Sequence, residues 1–441
     1  MDINKIIALT FLGIILVGAL LLMLPVSSRD GHARGFLTAL FTSTSATCVT
    51  GLVLADTYVM WSDFGQAVIL CLIEVGGLGF MSFASFGIFL LRRRIKLSQQ
   101  MVIAQSIGAE DYGDAIRVQK RMIGGCLATE AVGALCLTLR FLQRYNFGTS
   151  LKLGVFHSIS AFCNAGFDIF GFETEGGSLL PYQTDLPVLL ILALLIIMGG
   201  LGFLVWDEVL SIRSPKKWSV YTKLVLITTG ALIVGGTLLF LLAEWNNDTT
   251  IGEMTAPQKI LAAFFQSVTL RTAGFSGVDQ SALTEGGKAL SICFMLIGGS
   301  SGSTAGGLKT ATFVVMLLAL VAGMRGKHHV SVFRRTITQK QILNAFSIFG
   351  IMVLLSLFGG IVIALTTPVG FTDALFEAIS ALATVGLSTG ITAGLSVVSK
   401  ILIIFYMYFG RVGILTISLG FLREKPSVQK YHYAETSLLI G

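Results

Sequence analysis

Four tripeptides ending in glycine constrain this chain more than any other feature: Val49-Thr50-Gly51, Asn164-Ala165-Gly166, Thr272-Ala273-Gly274 and Thr384-Val385-Gly386. Their glycines are spaced by 115, 108 and 112 residues, so one period runs through all 441 residues. A fixed period means tandem copies of one structural unit. Composition then names the solvent. Charged residues make up 12% of the chain, 54% is hydrophobic and the mean hydropathy is +0.81, whereas a soluble domain carries about 25% charged residues. The chain reads as a polytopic membrane protein. Residues 6–24 are too long for the apolar core of a secretory signal, and no Ala-x-Ala site follows; they suffice for a first crossing, which takes roughly 20 apolar residues.

Each unit reads as an outer helix, a re-entrant half-helix too short to cross, a filter strand and an inner helix. The spans are 6–24, 35–46, 47–52 and 64–91; then 122–141, 151–162, 163–167 and 186–210; then 221–242, 257–269, 270–275 and 288–321; and finally 344–365, 372–383, 384–387 and 397–422. A Gly-x-x-Gly falls in every inner helix (Gly76/Gly79, Gly199/Gly202, Gly299/Gly302, Gly410/Gly413), 25, 33, 25 and 24 residues beyond the filter glycine. A single such motif is ordinary close helix packing; four in register mark a repeat. The expected fold is an all-α membrane protein of four tandem helix–pore-loop–helix repeats around a pseudo-fourfold pore, with eight transmembrane helices and four re-entrant half-helices. The repeats occupy 1–95, 117–213, 218–326 and 341–423, with a tail at 424–441. Two crossings per unit give all four the same orientation, unlike the inverted repeats of many carriers.

Irregular backbone at membrane depth is tolerated only where it lines water or is buried in protein. Four re-entrant loops therefore imply a wet axis, on which backbone carbonyls replace the hydration shell of a cation. The half-helices aim partly negative C-termini at that axis, and glycine accepts the positive φ that turns carbonyls inward. The third inner helix is interrupted by Gly298 to Gly307, and Gly299, Ser300, Ser301, Gly302, Ser303, Thr304, Ala305, Gly306 and Gly307 form the expected gate below the filter; the competing reading is a packing bend. Arg411, inside the fourth inner helix, is expensive in a membrane and is expected to hold loop carbonyls and repel a cation there, or else to serve as a structural counter-charge. Arg271 is expected behind the filter, with Glu377 as a partner; Lys309 is expected to snorkel toward the cytoplasm; Glu74 and Glu130 are expected to pair helix to helix.

The six cysteines show no Cys-x-x-Cys spacing and the five histidines no metal spacing, so free thiols and no metal centre are expected, with Cys48 and Cys163 packing behind the filter. There is no P-loop and no Rossmann fingerprint, nor a nucleophile or paired acids at working spacing, so the chain does not read as an enzyme. Of 31 basic residues, 20 cluster in 92–121, 213–223, 325–340, 423–430 and at Lys5. The positive-inside rule puts these segments, and both termini, in the cytoplasm. Glu173, Glu175, Asp185, Glu244, Asp248, Glu253, Asp279 and Glu285 fall in the opposite loops, where they would draw cations in. The net charge of +7 thus sets topology and needs no nucleic acid.

The segments FTSTSATCVTGL, FHSISAFCNAGFDIF, FFQSVTLRTAGFSG and FEAISALATVGLSTG, the run IGGSSGSTAGGLKT and the stretch YFGRVGILT together resemble the Trk/Ktr/HKT superfamily of potassium transporters, specifically its Ktr-type membrane subunits. The resemblance covers residues 6 to about 422. It implies potassium uptake across a bacterial plasma membrane, often with sodium dependence, and selectivity at Gly51, Gly166, Gly274 and Gly386. It also implies a homodimer seated on a cytosolic ring that binds ATP or ADP, with no cofactor in this chain itself. A sodium-coupled secondary carrier and a sodium-selective channel are the alternatives; Gly51 in place of serine is the potassium form within that family.

Overall fold

The computed structural model describes residues 3–79, 115–212, 214–327 and 329–413. The expected tail at 424–441, the basic cluster at 92–96 and the far ends of the first and fourth inner helices lie outside the described residues.

The first unit is α1 (Ile3–Met23), α2 (Phe36–Thr47) and α3 (Asp63–Leu78). The second is α4 (Ala115–Phe141), α5 (Phe147–Phe162), α6 (Leu186–Leu201) and α7 (Phe203–Ser211). The third is α8 (Val220–Glu244), α9 (Ala256–Thr269), α10 (Glu285–Met295) and α11 (Thr310–Met324). The fourth is α12 (Gln339–Thr366), α13 (Phe371–Leu382) and α14 (Val397–Val412). A two-residue-turn hairpin, β1 (Ser331–Val332) with β2 (Arg335–Thr336), links the third unit to the fourth; Phe333 and Arg334 in its turn both have positive φ, as such a tight turn requires.

The outer helices α1, α4, α8 and α12 are long and apolar enough to cross a membrane. Each presents an exposed apolar stripe: Leu9, Leu16 and Leu20; Val132, Leu135 and Leu139; Ile227, Val234 and Leu238; Leu354, Phe358 and Ile361. Each packs most extensively on the half-helix that follows it. The half-helices α2, α5, α9 and α13 are buried, and hydroxyls (Ser43, Ser45, Ser158, Ser160, Ser267, Thr269, Ser380) share their surroundings with Phe41, Phe162, Phe265 and Phe376. Apolar outside and hydroxyl-rich within is the arrangement of a chain solvated by lipid.

The inner helices are not continuous. α6 and α7 meet at 95°. α10 and α11 are separated by the glycine-rich loop, and α3 and α14 stop at Gly79 and Gly413. The second glycine of every Gly-x-x-Gly has a positive φ (Gly79 81°, Gly202 87°, Gly302 72°, Gly413 94°), a conformation open to glycine at no steric cost. The sequence expectation of one unbroken second inner helix over 186–210 is corrected accordingly: there the motif is a stop as well as a packing face.

Inner helices also tie the units together in rotation. α3 packs on α5, α6 on α9, α10 on α13 and α14 on α2, so each unit's inner helix meets the next unit's half-helix and the fourth closes on the first.

Candidate functional site

The four tripeptides converge. A methyl group built on Gly51 would come within 2.5 Å of the Ala165 carbonyl oxygen, one on Gly166 within 2.8 Å of Ala273 O and one on Gly274 within 2.5 Å of Val385 O, and one on Gly386 would overlap Thr50 O. Each glycine thus faces the carbonyl preceding the next unit's glycine, in the cyclic order of the helix packing. No side chain fits at any of the four.

The loops are held from below by their own half-helices. Thr50 N–H donates to Ser45 O (2.8 Å), Ala165 N–H to Ser160 O (2.7 Å), Ala273 N–H to Thr269 O (3.0 Å) and Val385 N–H to Ser380 O (2.7 Å). Side-chain hydroxyls add to this: Ser45 and Ser380 accept from Gly51 N–H and Gly386 N–H, and Ser160 and Thr269 donate to Phe167 O and Phe275 O. These bonds fix a backbone in which the residue two before each glycine is left-handed, with φ of 56° at Val49, 58° at Asn164, 66° at Thr272 and 53° at Thr384. The supporting hydroxyls were not singled out from the sequence. Their signal is a serine six residues before the glycine in three units, displaced by one, to Thr269, in the third. The Thr50, Thr272 and Thr384 hydroxyls are buried with no protein partner among the described residues, which leaves their oxygens free for a ligand.

On one side of the ring lies a vestibule of about 370 Å³ lined by Gly51, Gly166, Gly274 and Gly386. Asp56, Asp168, Glu175 and Asp279 also line it. Glu175 and Asp279 were expected at an acidic mouth; Asp56 and Asp168 were missed because they directly follow the filter segments rather than lying in the long loops. Two expected mouth acids serve elsewhere: Asp185 pairs with Arg140 at 2.7 Å, and buried Glu244 accepts from Thr284 and Asn247.

On the other side the 298–307 loop closes under the ring. Its neck is pinched by Gly298 N–H donating to Leu308 O (2.9 Å). Its tip reaches the second unit: Ser300 N–H donates to Gly200 O (3.0 Å), Phe203 N–H to Gly302 O (3.0 Å) and Thr304 Oγ1 to Phe162 O (3.1 Å), while Thr304 Oγ1 lies 3.3 Å from the Asn164 amide. Gly306 leaves no room for a methyl beside the Thr384 hydroxyl of the fourth unit. Arg411 donates to Thr304 O in the loop and to Gly76 O and Gly77 O (2.9 Å) on α3, so one guanidinium joins the fourth, third and first units. Arg271 does not meet Glu377. Its Nη2 donates at 3.4 Å to Thr229 Oγ1, Gly298 O and Thr310 Oγ1, and Glu377 accepts from Thr392 instead. Lys309 turns back to donate to Ala305 O at 2.7 Å rather than leaving the fold. Glu74 and Glu130 do face one another across α3 and α4.

A family profile described as a cation transport protein, TrkH, matches residues 4–433. The chain belongs to this family of membrane cation transporters. It is 37% identical over 442 residues to the potassium/sodium uptake protein NtpJ of Enterococcus hirae, covering 99% of this chain and 97% of that one. It is 38% identical to the Ktr system potassium uptake protein B of Vibrio alginolyticus (99% and 94% covered) and 36% identical to that of Bacillus subtilis (97% and 94%). These matches place it among the Ktr-type members of the Trk/Ktr/HKT superfamily. The fold is that of the potassium transporter TrkH from Vibrio parahaemolyticus, with a TM-score of 0.74 at 18% identity over 95% of this chain and 84% of that one. A cation transporter of this family is a multi-pass membrane protein and not an enzyme.

Proposed function

We propose that this chain is the ion-translocating subunit of a bacterial potassium uptake system, with the carbonyls of 49–51, 164–166, 272–274 and 384–386 as its selectivity filter. The observation that carries the reading is the closed ring in which each filter glycine abuts a carbonyl of the next unit. A dehydrated potassium ion needs several oxygen ligands at once and no fixed carboxylate, and a ring of backbone oxygens meets that demand. The vestibule carboxylates concentrate cations at one mouth. The 298–307 loop, latched by Arg411, is the gate: its tip blocks the axis while the latch holds, and moving it clears the path. Names of the relatives support potassium as substrate and admit sodium as an activator. By the same kinship the chain assembles as a homodimer in the plasma membrane with cytoplasmic termini, and a cytosolic nucleotide-binding ring moves the gate.

The test is rubidium uptake into sealed vesicles holding the purified chain, with neither a sodium nor a proton gradient. A pore passes rubidium down its own gradient, faster when a nucleotide-loaded cytosolic partner is added. Uptake that needs a sodium gradient identifies a coupled carrier and overturns the channel reading.

A further inference from the structure

Beside the second filter segment, three helices gather ligand atoms that the sequence scatters. Glu74 on α3, Glu130 on α4 and Cys163 at the C-cap of α5 each place one ligand atom within 4.8 Å of the others. Cys163 Sγ lies 3.6 Å from Glu74 Oε2 and 3.9 Å from Glu130 Oε1. Cys126, fully buried, stands one turn before Glu130 on the same face of α4. Glu130 is only 4% exposed, and among the described residues its carboxylate meets nothing outside this cluster; Glu74 Oε1 is buried with no partner.

Two carboxyl groups facing each other in a buried site cannot both stay ionised and unpaired: they share a proton or hold a cation between them. The distances say which. A tetrahedral centre with sulfur at about 2.3 Å and oxygen at 2.0–2.2 Å sets its ligands about 3.5–3.7 Å apart, close to what Cys163 makes with both carboxylates. Thiolate ligands select soft or borderline ions, whereas magnesium and calcium want oxygen cages. Spacing along the chain hid this set, since its members come from three helices of two units.

We propose that Glu74, Glu130 and Cys163 form a binding site for a thiophilic divalent cation of the zinc class. The two carboxyl groups and the Cys163 thiol supply its ligands, and the thiol loses its proton on binding. Because Cys163 directly precedes Asn164, occupancy ties the first unit's inner helix and the second unit's outer helix to one filter segment and restrains it from behind.

The test uses the full chain in lipid nanodiscs and cadmium as the probe, read by its thiolate charge-transfer absorption and by metal-to-protein ratio. One tightly held cadmium per chain is expected. Cys163→Ser should abolish the band, and Glu130→Gln should weaken binding by about 10-fold or more, since even partners outside a metal's ligand shell cost that much. Glu74→Gln serves the same purpose if Glu130→Gln does not fold, and Cys293→Ser, at an exposed thiol on α10, should change nothing. Absence of bound cadmium in the wild type, or equal affinity in the wild type and both carboxamide variants, overturns the site and leaves the carboxyls sharing a proton. Neither result bears on rubidium flux.

Discussion

Three of the four left-handed residues two before the ring glycines, Val49, Thr272 and Thr384, are β-branched, the residue type least suited to positive φ. Each pays about 1–2 kcal/mol for it, and the cost recurs at related positions because the half-helix hydrogen bonds impose it. That strain was not legible in the sequence, which marks the glycine but gives no cue for a left-handed valine two residues earlier. The glycines themselves were legible because nothing larger fits. Gly51 has φ 93°, and a methyl built on it would come within 2.5 Å of Ala165 O, so a serine there must tilt carbonyls away from the ring. A loss of about 1.4 kcal/mol in ion binding is a tenfold change. Gly51→Ser should therefore lower the potassium-to-sodium uptake ratio roughly tenfold in paired vesicle assays, and an unchanged ratio would count against the filter assignment. In the vestibule, a water-screened carboxylate such as Asp168 is worth roughly 0.5 kcal/mol to a passing cation. Asp168→Asn should then reduce uptake roughly twofold at low external rubidium and low ionic strength, with the difference shrinking as salt is added.

At the scale of elements, the Gly-x-x-Gly motifs were legible as a repeat, but their purpose was not. The first glycine is where an inner helix touches the end of its own half-helix. A methyl on Gly76 would overlap Thr47 O, one on Gly199 Phe162 O, and one on Gly410 Leu382 O. The third unit departs from this pattern: its inner helix α10 ends at Met295, and Gly299 packs instead on its own loop and on Gly200 O. Periodicity shows where glycine recurs but carries no record of which backbone it touches. Gly76→Ala pushes on backbone that cannot swing aside, so it should destabilise the protein by about 1–3 kcal/mol, seen as a lower midpoint of thermal unfolding in a fixed detergent. Gly13→Ala in α1, with nothing within 4 Å of the added methyl, should leave the midpoint unchanged or raise it slightly.

For the whole molecule, a period near one quarter of the chain already implied four units of one orientation, and the lipid-facing stripes of α1, α4, α8 and α12 followed from hydropathy. The cross-links between units were not legible. Arg411 was recognised as costly, yet its acceptors, Thr304, Gly76 and Gly77, are backbone carbonyls far away in the chain, and backbone acceptors leave no trace in side-chain spacing. The same holds for Arg271, which pairs with loop and helix oxygens rather than with the acid that charge alone would choose. The molecule is a ring closed twice, by inner helix on half-helix and by glycine on carbonyl, with a loop from one unit crossing beneath it. Crystals grown in rubidium and measured at its absorption edge test that description most directly. The account predicts anomalous density on the axis enclosed by Gly51, Gly166, Gly274 and Gly386, between the vestibule and the 298–307 loop. Density confined to the carboxylates of the vestibule, with none inside the ring, would contradict it.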